Sequence, residues 1–527
     1  MHLHGKNQIA GTLSALGRRT FTGFDPRLGA PLEPAFAEAS DEEIERALHL
    51  STEAFPAFRE APYESVAILL EAIGDEIAAL GDSLIDRAAE ESGLAKERLN
   101  GERARTVNQL RMFAALVRDG SYVDARIDTA MPDRQPLPRP DLRRMLIPIG
   151  PVVVFAASNF PLAFSVAGGD TASALAARCP VVVKAHPAHP GTSEMVGLAI
   201  GRAAQKAGLP QGIFSLLHAT DPAASIALVH HPDARAVAFT GSLRAGRAIF
   251  DAASRRPDPI PAFVEMGSVN PVFILPGALN QAVENLAQGL FNSINLGVGQ
   301  FCTCPGIIVC GDEGGFRELR EKLGELFASG APGTMLYPGI LQNYEQAAER
   351  AAGIAGVRQV RSTVAADAVK TEAVPTLLDA DARTWLDNPE LGNEIFGPAS
   401  IIVRCHSDAE RMRVAQALEG TLTASIFGTP DDLVRYGGLI AVLETKAGRL
   451  IFNGFPTGVE VCPAMHHGGP WPATADARFT SVGTAAILRF LRPICYQNMP
   501  QAALPSELHD GNPRGIWRML NGQPGRE

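Results

Sequence analysis

Cysteine is scarce in this sequence and shows no pattern. Seven cysteines, an odd number, are scattered over 527 residues, and their spacing suggests neither a disulfide framework nor paired metal ligands. We therefore expect a reducing compartment and predict no bound metal. The N-terminus also lacks a basic segment followed by an apolar run, which a secretory signal would need, so the predicted location is the cytoplasm.

Runs of basic residues are equally absent. The sequence has 47 Lys and Arg against 57 Asp and Glu, a formal net charge of −10, so we expect no nucleic-acid or membrane partner. The stretch between Arg144 and Asp170 carries no charge, yet it does not predict a membrane span. Pro148, Pro151 and Pro161 interrupt it, and lipid would leave the freed backbone groups unsatisfied.

The length of the chain exceeds what one hydrophobic core can organise, so two or three domains are expected. Hydrophobic residues make up 46% of the sequence and charged residues 20%, which is typical of a globular protein. We find no internal repeat and no low-complexity tract. An enzyme of ordinary size is compatible with all of this.

The hydrophobic pattern changes along the chain. From Ser40, an N-cap candidate, to about Leu116 the spacing is helical, and residues 120–141 form an extended connector. Short apolar runs then alternate with helical stretches, which predicts an α/β fold with a parallel, doubly wound sheet. The predicted strands are 152–156, 181–184, 214–218 and 236–239, and the predicted helices are 166–177, 193–207, 223–230 and 243–254.

A second α/β region is predicted from about Gly267. Its predicted strands are 272–275, 307–309 and 400–403, and its predicted helices include 281–294 and 316–328. Parallel sheets bind ligands beyond the carboxyl ends of their strands, so Asn159, Lys184 and Gly241 are the first site candidates. The segment after Pro500 is polar, with Trp517 as its one aromatic anchor.

Three side chains are candidates for chemistry. Cys302 lies in a glycine-rich segment, which suits an accessible thiolate nucleophile, although a buried cysteine in a turn is the simpler interpretation. Glu265 ends an apolar run, where a raised pKa would suit a general base; the alternative is a capping or surface carboxylate. Asn159 could donate to an oxyanion or could only bond its own backbone.

Two segments are candidates for a phosphate-bearing ligand. Lys184 stands at the end of a predicted strand, where a solvated charge is the alternative explanation. Gly241, Ser242 and Gly246 lie between a strand and the start of a helix, which is a geometry that binds phosphate. They do not form the G-x-G-x-x-G motif, so this signal alone is weak.

Six motifs stand in one order along most of the chain: Asn159-Phe160-Pro161, Lys184, Phe239-Thr240-Gly241-Ser242, Glu265-Met266-Gly267, Gly299-Gln300-Phe301-Cys302 and Glu394-Ile395-Phe396-Gly397-Pro398. In this order they resemble the aldehyde dehydrogenase superfamily. Residues 157–170, 184–194 and 465–470 are similar to its bacterial NADP-preferring branch, which includes α-ketoglutaric semialdehyde dehydrogenases and a fatty aldehyde dehydrogenase.

This resemblance implies a role for each matching residue. Cys302 would be the nucleophile, Glu265 the general base, and Asn159 with the Cys302 backbone N–H the oxyanion hole. The residues that it assigns to the cofactor are Lys184, His186, Pro187, Gly241, Ser242, Gly246, Glu394 and Phe396. The residues that we assign to the substrate pocket are Phe160, Phe164, Phe455, and His466 or His467.

The cofactor preference is open between NADP and NAD. Many NAD-preferring relatives carry a glutamate where this chain has Pro187, and losing that carboxylate favours the 2′-phosphate of NADP. Residues 218–224, however, contain no arginine to bind this phosphate. Cys304 is a further departure; it would act either as a passive small residue or as a thiol that resolves an oxidised Cys302.

The resemblance also implies an architecture. The predicted cofactor domain comprises 1–121 and 148–265, the catalytic domain 266–470, an oligomerisation element 122–147 and 485–500, and the C-terminal tail 501–527. A homodimer or homotetramer is expected. The predicted reaction converts α-ketoglutaric semialdehyde to 2-oxoglutarate through a thioester. A fatty or aromatic aldehyde, acyl transfer to coenzyme A and a non-catalytic scaffold remain alternatives, as does the choice among Arg103, Arg105 and Arg111 as a carboxylate anchor.

Overall fold

The computed structural model describes residues 3–280 and 283–526. The described chain begins with strands that the sequence analysis did not predict: β1 Asn7–Ile9, β2 Thr12–Ser14, β3 Thr20–Asp25 and β4 Ala30–Ala37. β1 and β2 have three residues each, which is too short to show a hydrophobic period. β1 is a strand because it pairs with a segment more than two hundred residues away.

Four helices follow, as the helical spacing predicts: α1 Asp41–Arg59, α2 Tyr63–Ala79, α3 Gly81–Ser92 and α4 Lys96–Asp119. Ser40 begins α1 with a capping box. Its hydroxyl accepts from the Glu43 backbone N–H at 3.2 Å, and the Glu43 carboxylate accepts from the Ser40 N–H at 2.9 Å. α4 ends at Gly120, which adopts the left-handed conformation with φ of 74°.

The next region alternates between strands and helices as expected. Its elements are β5 Arg126–Asp128, β6 Leu142–Pro148, β7 Val152–Phe155, α5 Gly169–Ala176, β8 Val181–Lys184, α6 Pro190–Lys206, β9 Phe214–Leu217, α7 Pro222–His230, β10 Ala236–Thr240, α8 Leu243–Ser254 and β11 Ala262–Glu265. All four predicted strands and all four predicted helices are present; β8 and α8 have the predicted ends, and the other six have shifted ends. α6 starts earlier than expected because Pro190 suits the first position of a helix.

The first sheet has the strand order β11-β10-β7-β8-β9-β1-β2. The strands from β11 to β9 are parallel, and β1 pairs antiparallel with β9. The chain moves from β7 outward to β9 and then returns to place β10 on the other side of β7. This reversal opens a crevice at the carboxyl ends of β7 and β10, where a doubly wound sheet binds its ligand.

A second sheet covers the mouth of that crevice. The elements of this region are β12 Val272–Ile274, α9 Pro276–Leu279, α10 Val283–Asn295, β13 Ile307–Gly311, α11 Phe316–Ser329, β14 Gly333–Thr334, α12 Pro338–Ala352, β15 Arg358–Arg361, β16 Glu372–Ala373, β17 Thr376–Asp381, α13 Ala382–Asp387, β18 Ala399–Cys405, α14 Asp408–Ala417, β19 Thr421–Phe427, α15 Pro430–Arg435, α16 Gly437–Glu444 and β20 Ala447–Phe452.

The order in the second sheet is β15-β17-β18-β13-β12-β19-β20, and β14 pairs with β16 apart from it. The predicted strands 272–275, 307–309 and 400–403 correspond to β12, β13 and β18. The first two residues of the predicted helix 281–294 lie outside the described residues, and the helix continues from Val283 as α10. The predicted α/β class, with a doubly wound sheet and a second α/β region, is confirmed.

A third sheet contains β21 Leu491–Gln497, β22 Arg518–Leu520 and β23 Gln523–Gly525, in the order β21-β6-β5-β22-β23. The interpretation of 501–527 as a separate polar tail is wrong, because β22 pairs in parallel with β5. The anchor is also different from the one predicted: Ile516 is 1% exposed, whereas Trp517 is 53% exposed.

Seven 3-10 helices complete the described elements: Ser121–Val123, Gln211–Ile213, Leu296–Gly299, Pro389–Gly392, Thr484–Phe490, Gln501–Ala503 and Ser506–Leu508. Within 3–280 and 283–526, every helix is too short or too polar to cross a lipid bilayer. The uncharged stretch after Arg144 instead supplies the end of β6, then β7 and the turns that lead to α5.

Candidate active site

A cleft of about 560 Å³ lies where the first and second sheets meet. The predicted site residues that line it are Asn159, His186, Gly241, Ser242, Cys302, Glu394 and Phe396. Two elements of the first sheet and two segments of the second region thus converge on one space. The predicted residues Lys184, Pro187 and Gly246 are not among the lining residues of this cleft.

The turn before Cys302 is built from residues with positive φ. Gly297, Val298 and Gly299 have φ values of 56°, 60° and 66°. A Cβ on Gly299 would lie 2.0 Å from the Gly397 carbonyl oxygen, so this position requires glycine. The close approach brings the Cys302 segment against the segment that contains Glu394.

Asn270 fixes the Cys302 segment through hydrogen bonds. Its side-chain amide donates to the carbonyl oxygens of Cys302, at 2.8 Å, and Cys304, at 3.0 Å. Asn270 is fully buried and has φ of 44°. The sequence analysis did not select it, although it follows the Glu265-Met266-Gly267 motif closely enough to have been noticed.

His467, Glu265 and Cys302 form a compact group. His467 Nε2 lies 3.5 Å from Cys302 Sγ and 3.1 Å from Glu265 Oε1. His467 and Glu265 are 1% and 4% exposed, so their interaction is shielded from water. Ser481 donates to the other Glu265 oxygen at 2.6 Å. The same Nε2 atom thus faces both the thiol and the carboxylate, so His467 lies as a cation between them.

The charges of this group are strongly coupled. Burial lowers the pKa of His467, but the neighbouring Glu265 carboxylate and Cys302 sulfur outweigh it and raise the pKa to about 10. Burial raises the pKa of Glu265, but the His467 contact and the Ser481 hydrogen bond bring the net shift below its ordinary value. The predicted raised pKa of Glu265 is therefore wrong, because a cation lies where apolar surroundings were expected.

Asn159 lies beside Cys302 at the end of β7. Its Nδ2 donates to the Gln300 carbonyl oxygen at 3.0 Å, which uses one of its two N–H groups and fixes the amide. The Cys302 backbone N–H has no hydrogen-bond partner among residues 3–280 and 283–526. Both residues line the same cleft, and each has one N–H group available.

Helix α4 holds the Asn159 turn. Arg98 donates to the Asn159 carbonyl oxygen at 2.7 Å, and the Glu102 carboxylate accepts from the backbone N–H groups of Leu162 and Ala163 at 2.8 and 2.9 Å. Burial raises the pKa of Glu102. Neither residue was predicted, because nothing in their local sequence marks them as neighbours of Asn159.

Lys184 lies near the carboxyl end of β8 and makes no recorded hydrogen bond or ion pair in the described parts of the chain. Burial lowers its pKa to about 8, against the influence of Glu38. Arg19 lies nearby, 3.0 Å from Glu38 and 2.9 Å from Asp221. The 218–224 segment thus receives an arginine from the N-terminal region, but two carboxylates already bind it.

Glu394 lies on the wall of the cleft that the second α/β region forms. One of its oxygens accepts from the Ser268 backbone N–H at 3.3 Å, and burial raises its pKa to about 7. A Cβ on Gly267 would lie 2.5 Å from the other oxygen. On the first sheet, Ser242 begins α8 and accepts from the Ala245 N–H at 3.4 Å. A cleft of this size, with the start of α8 on its wall, fits a dinucleotide.

The predicted pocket residues divide into two groups. Phe160 and Phe164 pack edge to face at 5.4 Å, and the Phe164 ring lies 6.2 Å from the His467 ring. Phe455 packs at 5.0 Å on Phe427, in the cluster around the second sheet, and not on these two rings. His467, rather than His466, is the histidine at the thiol.

Cys304 points away from Cys302. Its thiol donates to the Ile294 carbonyl oxygen at 3.6 Å, and burial raises its pKa. This orientation supports the interpretation of Cys304 as a passive residue.

The ligand atoms of Glu265, Cys302 and His467 lie within 4.8 Å of one another, a set that could hold a metal ion. The absence of a metal therefore stays a prediction.

The two-sheet fold and the buried thiol–histidine–carboxylate group at a dinucleotide-sized cleft define a class of oxidoreductase with a cysteine nucleophile. Residues 17–470 match the model of the aldehyde dehydrogenase family, and the chain belongs to this family. It is therefore an enzyme that oxidises aldehydes to acids with a nicotinamide cofactor.

Two relatives match almost the whole chain. "Alpha-ketoglutaric semialdehyde dehydrogenase 2" of Azospirillum brasilense is 49% identical over 99% of this chain and 100% of its own length. "Alpha-ketoglutaric semialdehyde dehydrogenase" of Acinetobacter baylyi is 44% identical over 98% of each chain. The predicted resemblance to the family is confirmed.

Solved structures support the fold at lower identity. A betaine aldehyde dehydrogenase from Staphylococcus aureus gives a TM-score of 0.81 at 19% identity and covers 96% of this chain and 97% of its own. An aldehyde dehydrogenase from Bacillus cereus in complex with NAD+ gives 0.79 at 20% identity, over 93% and 96%.

Proposed function

We propose that the protein oxidises α-ketoglutaric semialdehyde, 2,5-dioxopentanoate, to 2-oxoglutarate with NADP or NAD. The observation that carries the reaction type is the contact of Cys302, which lines the cleft, with the buried His467, which in turn lies 3.1 Å from Glu265. The names of the two near full-length relatives support the substrate. The remaining paragraphs of this section assign the steps to residues.

Cys302 is the nucleophile and His467 activates it. A protonated imidazole 3.5 Å from Sγ stabilises the thiolate, and Glu265 in turn stabilises the imidazolium. The thiolate attacks the aldehyde carbon and forms a thiohemiacetal. Its oxyanion is bound by the free N–H of the Asn159 amide and by the Cys302 backbone N–H, which need no reorganisation to receive it.

The bound nicotinamide supplies the hydride acceptor. Glu394 and Phe396 lie on the cleft wall that the second α/β region forms, and we assign them to the nicotinamide ribose. His186, Pro187 and Lys184 border the adenosine end, while Gly241, Ser242 and Gly246 form the start of α8 that receives the pyrophosphate. Together these residues orient the cofactor relative to Cys302.

Glu265 serves the second half of the reaction. After hydride loss the acyl group is a thioester on Cys302. The Glu265 carboxylate takes a proton from the attacking water while His467 stays protonated, and the tetrahedral intermediate collapses with release of the Cys302 thiolate. This base favours hydrolysis over transfer of the acyl group to coenzyme A. Product analysis with and without coenzyme A tests the choice, since an acyl-coenzyme A product would contradict it.

The decisive experiment is an aldehyde panel assayed with NADP and NAD in parallel. We expect the highest kcat/KM with 2,5-dioxopentanoate and a preference for NADP, because Lys184 carries no carboxylate partner and Pro187 stands three residues further on. A panel in which unbranched fatty or aromatic aldehydes exceed the semialdehyde would overturn the proposed substrate.

We also propose a homodimer or homotetramer. The strands β20 and β21 form edges of the second and third sheets, and such edges pair between subunits. Light scattering of the purified protein tests this, and a stable monomer would contradict it.

A further inference from the structure

We propose that Arg105 binds the carboxylate of the substrate and thereby forms an anion subsite. This inference rests on the proposed function, since it names the group that recognises the carboxylated end of the semialdehyde. It concerns a part of the site that is separate from Cys302, Glu265 and His467.

Arg105 lies on the face of α4 that packs against the active site. Arg98, Glu102 and Arg105 are spaced so that they share one side of the helix. Arg98 and Glu102 bind the backbone of the Asn159 turn. One turn further, the guanidinium of Arg105 lies 5.1 Å from the centre of the Phe164 ring. α4 therefore presents Arg105 on the same side as the turn that carries Asn159.

The path from Arg105 to the sulfur is short. The Phe164 ring that Arg105 covers is 6.2 Å from the His467 ring, and His467 Nε2 is 3.5 Å from Cys302 Sγ. A single phenyl ring thus separates the guanidinium from the histidine at the thiol.

Arg105 is partly buried and has no bonding partner. Its Nε is buried without a hydrogen bond, and in the described parts of the chain no carboxylate lies within ion-pair distance of it. Burial lowers its pKa, although Glu102, Cys302 and Glu265 act in the opposite direction. A desolvated cation without a partner is costly, and a bound anion would remove that cost.

The carboxylates whose charges act on Arg105 form no ion pair with it in the described parts of the chain. Glu102 accepts two backbone N–H groups through one oxygen, and its other oxygen is buried without a hydrogen bond. Glu265 lies 3.1 Å from His467 and accepts from Ser481, and Glu460 is exposed. Arg105 therefore keeps a charge that no ion pair neutralises, which favours an ω-oxo acid over a neutral aldehyde of the same length.

The test compares Arg105→Met with the wild-type enzyme on 2,5-dioxopentanoate and on pentanal. We expect the variant to raise the KM for the semialdehyde about 10- to 100-fold, which is the loss of one or two charge-assisted hydrogen bonds. Its kcat for the semialdehyde and its kcat/KM for pentanal should stay within about threefold. Arg105→Lys should recover part of the affinity.

Arg111→Met is the matched control. Arg111 lies on the same helix, is exposed and pairs with Asp75 at 3.1 Å, so its loss should change neither substrate. An Arg105→Met variant that loses activity equally on both aldehydes would overturn the proposal, because a merely structural role would have that effect. Unchanged KM values for the semialdehyde would overturn it as well.

Glutarate distinguishes the failure of this inference from the failure of the proposed substrate. It should inhibit pentanal oxidation competitively in the wild type and at least about tenfold more weakly in Arg105→Met. If the wild type prefers pentanal to the semialdehyde but this difference in inhibition persists, the proposed substrate fails and the anion subsite stands. Equal inhibition of both proteins would overturn the subsite alone.

Discussion

Glu265 and His467 differ from Arg105 in how their charges are arranged. Glu265 lies 3.1 Å from His467 and accepts a hydrogen bond from Ser481, so the two charges of this pair neutralise each other. Arg105, in contrast, forms no hydrogen bond or ion pair within residues 3–280 and 283–526. The catalytic pair is complete before substrate arrives, whereas Arg105 is completed only by a ligand. Substitutions in the pair and at Arg105 should therefore have different kinetic effects.

The largest effect is expected at the sulfur itself. Cys302→Ser removes the thiolate, and cofactor reduction should fall by at least about 10⁴-fold because every later step depends on the covalent intermediate. Absorbance of the reduced cofactor measures it. Cys304→Ser is the control and should retain activity, since the Cys304 thiol lies against the Ile294 carbonyl oxygen. Near-normal turnover by Cys302→Ser would end the proposed mechanism.

Glu265→Gln should act on the second half of the reaction. We expect turnover to fall about 10²- to 10⁴-fold, because the base for the water is lost while Cys302 can still be acylated. Mass spectrometry of the protein after mixing with aldehyde and cofactor should show the acyl adduct. Its absence, together with a lost burst of cofactor reduction, would assign Glu265 to the first half instead.

His467→Phe should weaken the nucleophile. Turnover should fall about 100-fold, and alkylation of Cys302 by iodoacetamide at pH 7 should slow, because the cation next to the sulfur is gone. His466→Phe serves as the control, as His466 does not contact the thiol in the described structure. Equal alkylation rates in both variants would mean that His467 only fills space.

Arg98→Met should produce a smaller loss. Arg98 holds the Asn159 carbonyl but touches no reacting atom, so we expect kcat to fall about tenfold through a misplaced amide, with KM little changed. A predominant rise in the KM for carboxylated aldehydes would instead place Arg98 in the anion subsite with Arg105. The relative change in kcat and KM thus tests whether Arg98 acts with the catalytic residues or with Arg105.

The smallest effect concerns stability. The folded-state pKa of His467, about 10, is above its ordinary value, so its contribution to stability is complete below about pH 6.5 and is lost as the pH rises toward 10. The wild-type Tm should therefore fall more between pH 7 and pH 9.5 than that of His467→Phe. Calorimetry measures both, and parallel curves would show that the charge of His467 contributes nothing to folding.

The sequence predicted the elements that have a local signal. β7, β8 and β10 are apolar runs with clear ends, and Cys302 and Asn159 stand in motifs that resemble those of the family. Short strands such as β1 and β22 depend on distant pairing, so their own residues do not indicate them. For that reason the C-terminal segment was misinterpreted as a tail.

The electrostatic part of the site was harder to predict. The pKa of Glu265 was expected to be raised because only its neighbours in sequence were visible, and the effect of His467 appears only when the chain is folded. Ser481 and Arg98 show no motif at all. Asn270 could have been selected from its position, because it follows the Glu265-Met266-Gly267 motif closely. Its distance in sequence from Cys302 gives no indication of the contact between them.

The orientation of Cys304 has a consequence for handling the enzyme. Its sulfur faces the Ile294 carbonyl, so it does not stand ready to form a disulfide when peroxide converts Cys302 to a sulfenic acid. Recovery then depends on a small thiol that enters from solution, and continued exposure to oxidant leads to irreversible sulfinic acid. The protein should keep its activity on the bench only while a reductant is present.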